Sequence, residues 1–393
     1  MLRGVLRKKI RSDIFDNLGR TIQVVLIIAI GSIAVGSIAG ALEFIQQDIS
    51  TNWGQTNPAS IGLTLGDKGI SQDLVDTMEN FQEVKEIEGQ LSRRIKWRLR
   101  PDEPWQPATL RAREDYADMK LLKLKLIEGA WPRNKVMTAN RGYGLKSGDR
   151  VYLEIEGNER LVEIGGVTWY QGGPPPNFGG RPAFFTTKDY FADLTGQENH
   201  SFLSASVLGQ YTEGKARTAA IRLEDEIEGN DVEVFPGTPD ESKITDPAKH
   251  PAQDPVDGIF FILQVMAFAA LVLGLFLVYN TVTAIISQQV PQIGVLKAIG
   301  ATRGQILRLY YTTILIFGLL AVLISVPLGG LGAHGLRIFL VEFMGMDVGP
   351  PGLSYRATGI QIAICILAPL ITATPPILKG SGITVREAIS SYG

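Results

Sequence analysis

The residues of this chain best suited to chemistry are three histidines, one cysteine and a compact cluster of amides and cations. Their spacing rules most chemistry out. His200 and His250 lie far apart with no second ligand at helical or hairpin spacing, so both are expected to be surface histidines rather than a metal site. His334 falls near one end of an apolar run, where a neutral interfacial histidine is expected. With Cys365 as the one cysteine, no intramolecular disulfide can form. Phosphate-loop, nucleophile-elbow and His-Glu-x-x-His patterns are all missing from the sequence. What remains is Gln288, Gln289 and Gln292, followed by Lys297-Ala-Ile-Gly-Ala-Thr-Arg303-Gly-Gln-Ile-Leu-Arg308. Side chains of these types recognise partners and do not make or break bonds, so function is expected to concentrate here.

Apolar sequence surrounds this cluster. Residues 258–296 run 39 positions without an Asp, Glu, Lys or Arg, and a span needs only about 20. Segments 21–42, 309–336 and 357–378 are equally free of charge. A mean hydropathy of +0.11 with 20% charged residues fits several spans plus a sizeable water-soluble domain, and neither a soluble enzyme nor an all-membrane carrier. Six basic residues precede the first span, which is longer than a signal h-region and reads as a retained anchor. The flanks 1–20, 297–308 and 379–393 carry a net charge of +8, against −10 for residues 43–257. The positive-inside bias therefore places both termini and the basic turn in the cytoplasm and the large domain outside. No ionisable chain runs through the spans, which argues against an ion-coupled carrier; any energy source is expected on another chain.

The region 43–257 has neither a uniform helical nor a uniform strand period and reads as α+β. Val151–Glu156 and Glu159–Ile164 alternate apolar and polar residues about Gly157-Asn158, which predicts a hairpin turning on those two residues. Ser71 is placed to cap a helix with Leu74, Val75, Met78 and Phe81 on one face. A second helix is predicted from Thr212 to Glu228, with Ala216, Ala220, Leu223 and Ile227 inward. Gly172 to Gly180 is too rich in Pro and Gly for helix or central strand and is either a stiff connector or a partner-contacting finger. Gly237 to Pro255 reads as a linker, and Asn199-His-Ser201 matches a glycosylation acceptor.

The stretch from Ala270-Leu-Val-Leu-Gly through Asn280 to Gln292-Ile-Gly294-Val-Leu-Lys297-Ala-Ile-Gly300-Ala-Thr-Arg303 resembles the signature of ABC-transporter permeases of the FtsX/MacB superfamily. Glu128-Gly-Ala-Trp131-Pro132 followed by Gly144-Leu-Lys-Ser-Gly-Asp149-Arg-Val resembles that family's periplasmic core domain, and Ile383-Thr-Val-Arg-Glu-Ala388-Ile its cytoplasmic end. Two departures stand out: Gln292 replaces the usual Glu, and Pro291 precedes it. The closing Ser-Ser-Tyr-Gly393 also resembles the junction after the first repeat of longer two-repeat permeases.

The resemblance implies four transmembrane helices with a large α+β extracytoplasmic domain between the first and second. The expected divisions are a basic N-terminus 1–20, helix 21–45, domain 46–256, helix 257–287, coupling helix and turn 288–308, helix 309–340, outer loop 341–356, helix 357–378 and a cytoplasmic tail 379–393. It implies a permease subunit in the inner or cytoplasmic membrane that passes the motion of a separate cytoplasmic ATPase to the outer domain, for export or extraction of an amphipathic cargo. The alternative is a membrane-anchored signalling or scaffold protein that regulates an envelope enzyme. No catalytic residue, metal or cofactor of its own is expected, since ATP would be bound by the partner; a homodimer or second permease half and an outer adaptor complete the expected partners.

A short helix from Pro291 to Gly300 is expected to dock on the ATPase through Ile293, Leu296 and Ile299, with Gln292, Gly294, Lys297, Ala298 and Arg303 around them. Gly31, Gly36 and Gly40 are expected to form a close-packed dimer face. Topology is directly testable. A cysteine at Gly157 should react with a membrane-impermeant thiol reagent in intact cells while one at Thr302 should not, and the reverse pattern would overturn the arrangement.

Overall fold

The structure is a computed structural model and describes residues 9, 15, 18–174, 176–235 and 244–384. The chain divides into a helical unit (1–46, 255–340 and 348–393) and an α+β unit (47–254 and 341–347).

The helical unit is built from α1 (Leu18–Gln55), α5 (Gln253–Ala298), α6 (Arg303–Phe343) and α7 (Tyr355–Gly382), each long and apolar enough to cross a membrane. At 1.5 Å per residue the 46 residues of α5 extend about 69 Å, more than twice the roughly 30 Å of hydrocarbon, and α1 continues past its expected end at 45. α5 leaves Phe261, Phe268, Leu273 and Phe276 exposed, as lipid contact requires. Its inner face joins Val24 and Ile28 of α1, Ile306 and Tyr310 of α6, and Cys365 and Ile377 of α7 in one apolar core through Val278, Val282 and Ile286.

One polar group sits in the middle of that bundle. The amide of Gln361 on α7 donates to the Ser325 carbonyl, and its own backbone carbonyl accepts from Ser32 Oγ at 3.2 Å. Room for this side chain comes from two glycines. A Cβ at Gly36 would lie 2.5 Å from the Gln361 amide and one at Gly329 2.4 Å from it. Gly31, Gly36 and Gly40, expected at a dimer face, are buried within the chain's own bundle, with Gly40 facing Ala333. Their small size serves close approach between helices of one chain.

In the α+β unit, β1 (Ile61–Leu65), β9 (Phe202–Val207), β10 (Val234–Phe235) and the first half of β2 (Val84–Arg98) form a sheet in the order β10-β1-β9-β2. Helices α2 (Gln72–Glu79) and α4 (Glu213–Gly229) bury Val75, Met78, Ala216, Ala220, Leu223 and Ile227 in one core with it. Both helices begin where expected, with Ser71 Oγ accepting from Leu74 N and Thr212 Oγ1 from Lys215 N. A further helix, α3 (Lys188–Thr195), starts on Thr187 and buries Phe191.

The second half of β2 enters a different arrangement. With β3 (Gln106–Arg113), β5 (Val136–Asn140), β6 (Arg150–Ile155), β7 (Asn158–Trp169) and β8 (Ala183–Thr187) it closes a ring in the order β2-β3-β8-β5-β7-β6-β2. Leu91, Ile95, Leu110, Met137, Leu153, Ile164 and Phe184 share the core of this ring, and β4 (Lys125–Gly129) pairs with β7. The β6–β7 hairpin turns one residue earlier than expected. Ile155 pairs with Asn158, so Glu156 and Gly157, with φ of 50° and 81°, occupy the turn and Asn158 is already in the strand. The strain that a cysteine would meet at Gly157 makes the exposed Glu198 the better labelling position.

A buried ion pair fastens the β3–β4 connection. Arg113 Nη1 lies 2.7 Å from Glu88 Oε1, and its guanidinium also donates to the carbonyls of Leu121 and Leu122, while Glu88 accepts from the backbone N–H groups of Lys120 and Leu121. This satisfies the pair on all sides, the condition for tolerating buried charge. The two histidines of this unit are not at the surface. Both are buried, His200 against Gln72 and His250 edge-on to Trp53. Glycine spacing leaves room for the first, since a Cβ at Gly89 would meet its ring at 2.6 Å.

Two outcomes follow from this packing. Burial pushes both imidazoles down to about 4 from 6.5, so they stay neutral in the fold while the unfolded chain takes up protons. Stability should be undiminished above pH 6.5 and fall as pH drops toward 4, by about 3 kcal/mol per ring, measurable as a falling denaturation midpoint. In the helical unit, Gly36→Leu should overpack the Gln361 site and cost about 1–3 kcal/mol, seen as a lower unfolding temperature whatever the oligomeric state.

Candidate functional site

The basic turn between α5 and α6 is built by two terminal signals in sequence. α5 stops on Gly300, whose φ is +96°; its N–H bonds to the Lys297 carbonyl, and Ala301 N–H reaches back to Leu296. This is the paired closure that an αL glycine allows. α6 then starts on a reciprocal cap: Thr302 Oγ1 accepts from Gln305 N and Gln305 Oε1 from Thr302 N at 3.0 Å. The capping signature Thr-x-x-Gln is legible in the sequence. The connection is only residues 299–302.

No separate helix begins at Pro291. The proline lies inside α5, which runs unbroken from Gln253 to Ala298, so the expected short helix is the last two turns of a membrane helix. The cost of an interior proline, a missing hydrogen bond and a local bend, is absorbed within those turns. This reassigns the anchor residues. Ile293 is 1% exposed, and with Gly294 and Leu296 it packs inside the chain, where Ile293 joins the bundle core. Val295 and Ile299, at 63% and 59% exposed, form the free apolar face, four residues apart on one side of the helix with Gln292 and Ala298 also exposed.

The cations are also partly committed. Lys297 Nζ donates to the Ile383 carbonyl, Arg303 Nε to Ser381 Oγ at 3.4 Å and Arg303 Nη2 to the Leu378 carbonyl at 3.5 Å. They therefore complete the C-terminal end of α7, where carbonyls lack helical partners and cations are favoured. The three glutamines each find a partner. Gln288 accepts from Arg20 at 2.7 Å, Gln289 from Tyr310 at 2.9 Å, and Gln292 from Lys9 at 2.7 Å. Most of the basic N-terminus and residues 385–393, including the end of the Ile383–Ile389 motif, lie outside the described residues.

A second candidate lies in the α+β unit and was not foreseen. Arg94 on β2, Arg111 on β3, Arg141 after β5 and Arg181 before β8 line one cavity of about 250 Å³ with Gln171 and His250. Strand alternation puts Arg111 there, because Leu110 and Ala112 on either side of it point into the core of the ring. Gly172–Pro174, Pro176, Gly179 and Gly180 of the Gly- and Pro-rich loop line the rim, which gives them a place in a site.

The same unit also holds residues 341–347, which continue from α6. Gly345, φ +70°, ends that helix as Gly300 ends α5, with Gly345 N bonding to Glu342 O and Met346 N to Val341 O. The Gly345 carbonyl accepts from Arg141 Nε at 2.6 Å and Trp169 Nε1 at 3.1 Å. Asp347 is partly desolvated, yet Arg141 at 2.8 Å and Lys125 at 3.2 Å hold its carboxyl below the usual range.

Among the described residues no group of His, Cys, Asp or Glu is arranged to hold a metal ion. Residues 264–385 match the FtsX-like permease C-terminal family. An uncharacterized ABC transporter permease protein of Mycobacterium tuberculosis is 23% identical over 242 residues, which are 60% of this chain and 26% of that protein. The chain thus spans about a quarter of the length of that relative. The extracellular domain of the ABC-type transporter YknZ from Gram-positive bacteria aligns at a TM-score of 0.31 and 15% identity, over 44% of this chain and 98% of the domain. The periplasmic region of MacB from Actinobacillus actinomycetemcomitans aligns at a TM-score of 0.31 and 12% identity, over 48% and 92%. Residues 264–385, which carry the α5–α6 turn, are thus similar to the FtsX-like permease C-terminal family, and the chain is similar in part to an ABC transporter permease.

Proposed function

We propose that this chain is the permease subunit of an ABC complex in the cytoplasmic membrane, and that it converts the motion of a separate ATPase into motion of its α+β domain. The observation that carries this reading is the apolar face of Val295 and Ile299 at the tip of the α5–α6 hairpin, next to a turn fixed at both ends by caps. Apolar side chains beyond the hydrocarbon, on a helix held rigid by its own bundle, suit insertion into a groove on a cytoplasmic subunit. The positive-inside distribution puts that tip, and both termini, on the cytoplasmic side.

The bundle favours transmission over conduction. At its centre Gln361, Ser32, Ser325 and Cys365 bond to one another and present no charge to a polar solute, while the buried Arg337 of α6 donates to the Pro350 carbonyl. Cargo of amphipathic character would then be handled by the α+β domain or at the outer leaflet. The same arrangement would serve a regulator of an envelope enzyme, and ATP-dependent movement of cargo separates the two.

The coupling surface has a sharp test. Val295→Asp with Ile299→Asp should weaken copurification of a coexpressed nucleotide-binding subunit tenfold or more, given about 1 kcal/mol for each half-buried aliphatic side chain lost. Membrane insertion and unfolding temperature should stay unchanged. Ile293→Asp should instead destabilise the bundle itself, since that side chain is buried within the chain. Full retention of the ATPase by the double variant would overturn the coupling role of this face.

A further inference from the structure

The arginine-lined cavity belongs to the α+β unit, and what it binds does not depend on the coupling reading. Four arginines line it, of which Arg141 is already paired with Asp347, and no Asp or Glu is among the described lining residues. Among the described residues Arg94 and Arg181 have no hydrogen bond or ion pair, and Arg111 has only the Tyr170 ring, 5.2 Å from its guanidinium carbon. Arg94, Arg111 and Arg181 share the cavity without a paired carboxylate, so their mutual repulsion would be relieved by an anion.

Other polar groups call for hydroxyls beside the anion. Gln171 lines the cavity at 6% exposed, and its Oε1 has no hydrogen-bond partner. An unsatisfied buried amide of this kind costs about 1–3 kcal/mol and calls for a ligand group to bond. His250 also lines the cavity, and its Nδ1 accepts from Ala252 N at 2.9 Å. In the neutral ring this places the proton on Nε2, which becomes a donor. The loop over the cavity contributes Gly172, Gly173, Gly179 and Gly180, whose backbone a ligand can approach closely.

We infer that this cavity binds a phosphate ester of headgroup size. Planar guanidinium forks match the oxygens of phosphate in paired hydrogen bonds, and several of them match a dianion better than a single carboxylate. A volume of about 250 Å³ holds a phosphate with a few carbons and their hydroxyls, and is too small for a drug-sized molecule. Gln171 and the His250 Nε2–H are the groups left for those hydroxyls. The ester belongs either to a soluble metabolite or to the headgroup of an anionic lipid.

Binding is measured on the full chain in detergent by titrating glycerol 1-phosphate and inorganic phosphate while following tryptophan fluorescence and unfolding temperature. Trp169 is a suitable reporter, since its ring lies 5.9 Å from the Arg141 guanidinium carbon. Glycerol 1-phosphate should bind saturably, and Arg94→Gln or Arg181→Gln should each weaken it about tenfold, the loss of one charge-assisted bond. Neither arginine side chain has a partner among the described residues, so both variants should keep the unliganded unfolding temperature. Reconstitution in nanodiscs then separates the sources. Occlusion of the site in phosphatidylglycerol but not in phosphatidylcholine assigns it to a lipid headgroup, and free binding in both assigns it to a soluble ester. Absence of any saturable response, or binding unchanged in both variants, would overturn the inference. Loss of ATPase copurification at the α5–α6 tip would leave this result untouched.

Discussion

Helix C-termini leave carbonyls without partners, and the answer to that deficit organises both units of this chain. In hydrocarbon an unpaired carbonyl costs several kcal/mol, so long membrane helices must carry their ends beyond it and satisfy them there. α5 does so on Gly300, with backbone bonds alone. α6 does so on Gly345 and then offers the glycine's own carbonyl to Arg141 and Trp169. For α7 the donors come from Lys297 and Arg303, residues of the α5–α6 turn. Basic residues that enter the charge count thus also tie one helix end to the next. Val295 and Ile299 remain exposed and apolar at the tip.

How much of this was legible depended on how local the signal was. Ser71, Thr212 and the apolar positions that follow them carry their own periodicity and caps, and the helices form there. The β6–β7 hairpin was visible through alternation, but its turn was misplaced by one residue because Glu156 adopts positive φ, which glutamate rarely does. Pro291 reads locally as a helix start because proline favours that position; the bundle holds α5 together around it, a tertiary effect with no local mark. The same limit applies to Ile293 and Leu296, whose apolar character fits a partner groove and a home core equally well. His200 and His250 looked superficial because burial of a lone histidine depends on distant glycines and tryptophans. Neither the closed ring of strands nor the arginine cavity was legible, since both assemble residues far apart in the chain.

The bundle's interior explains why its small residues matter. Gln361 requires glycine at both Gly36 and Gly329, so one polar side chain fixes the distance between three helices. An amide in this position is costly to bury and specific in where it can be satisfied, which gives α1, α6 and α7 a single register. Sliding any of them would strand the amide. The motions open to such a bundle are those that keep the node intact.

In the α+β unit, β2 has a comparable role with a different outcome. Its fifteen residues pair with β9 along the first half and with β3 and β6 along the second, so a single strand belongs both to the layered sheet and to the closed ring. Neither part can shed the shared strand without breaking its own hydrogen-bond ladder. Amide protons along β2 should therefore exchange only through global opening of the domain, at one common rate from Ile87 to Trp97, and the seam between the two subdivisions should protect as well as their centres.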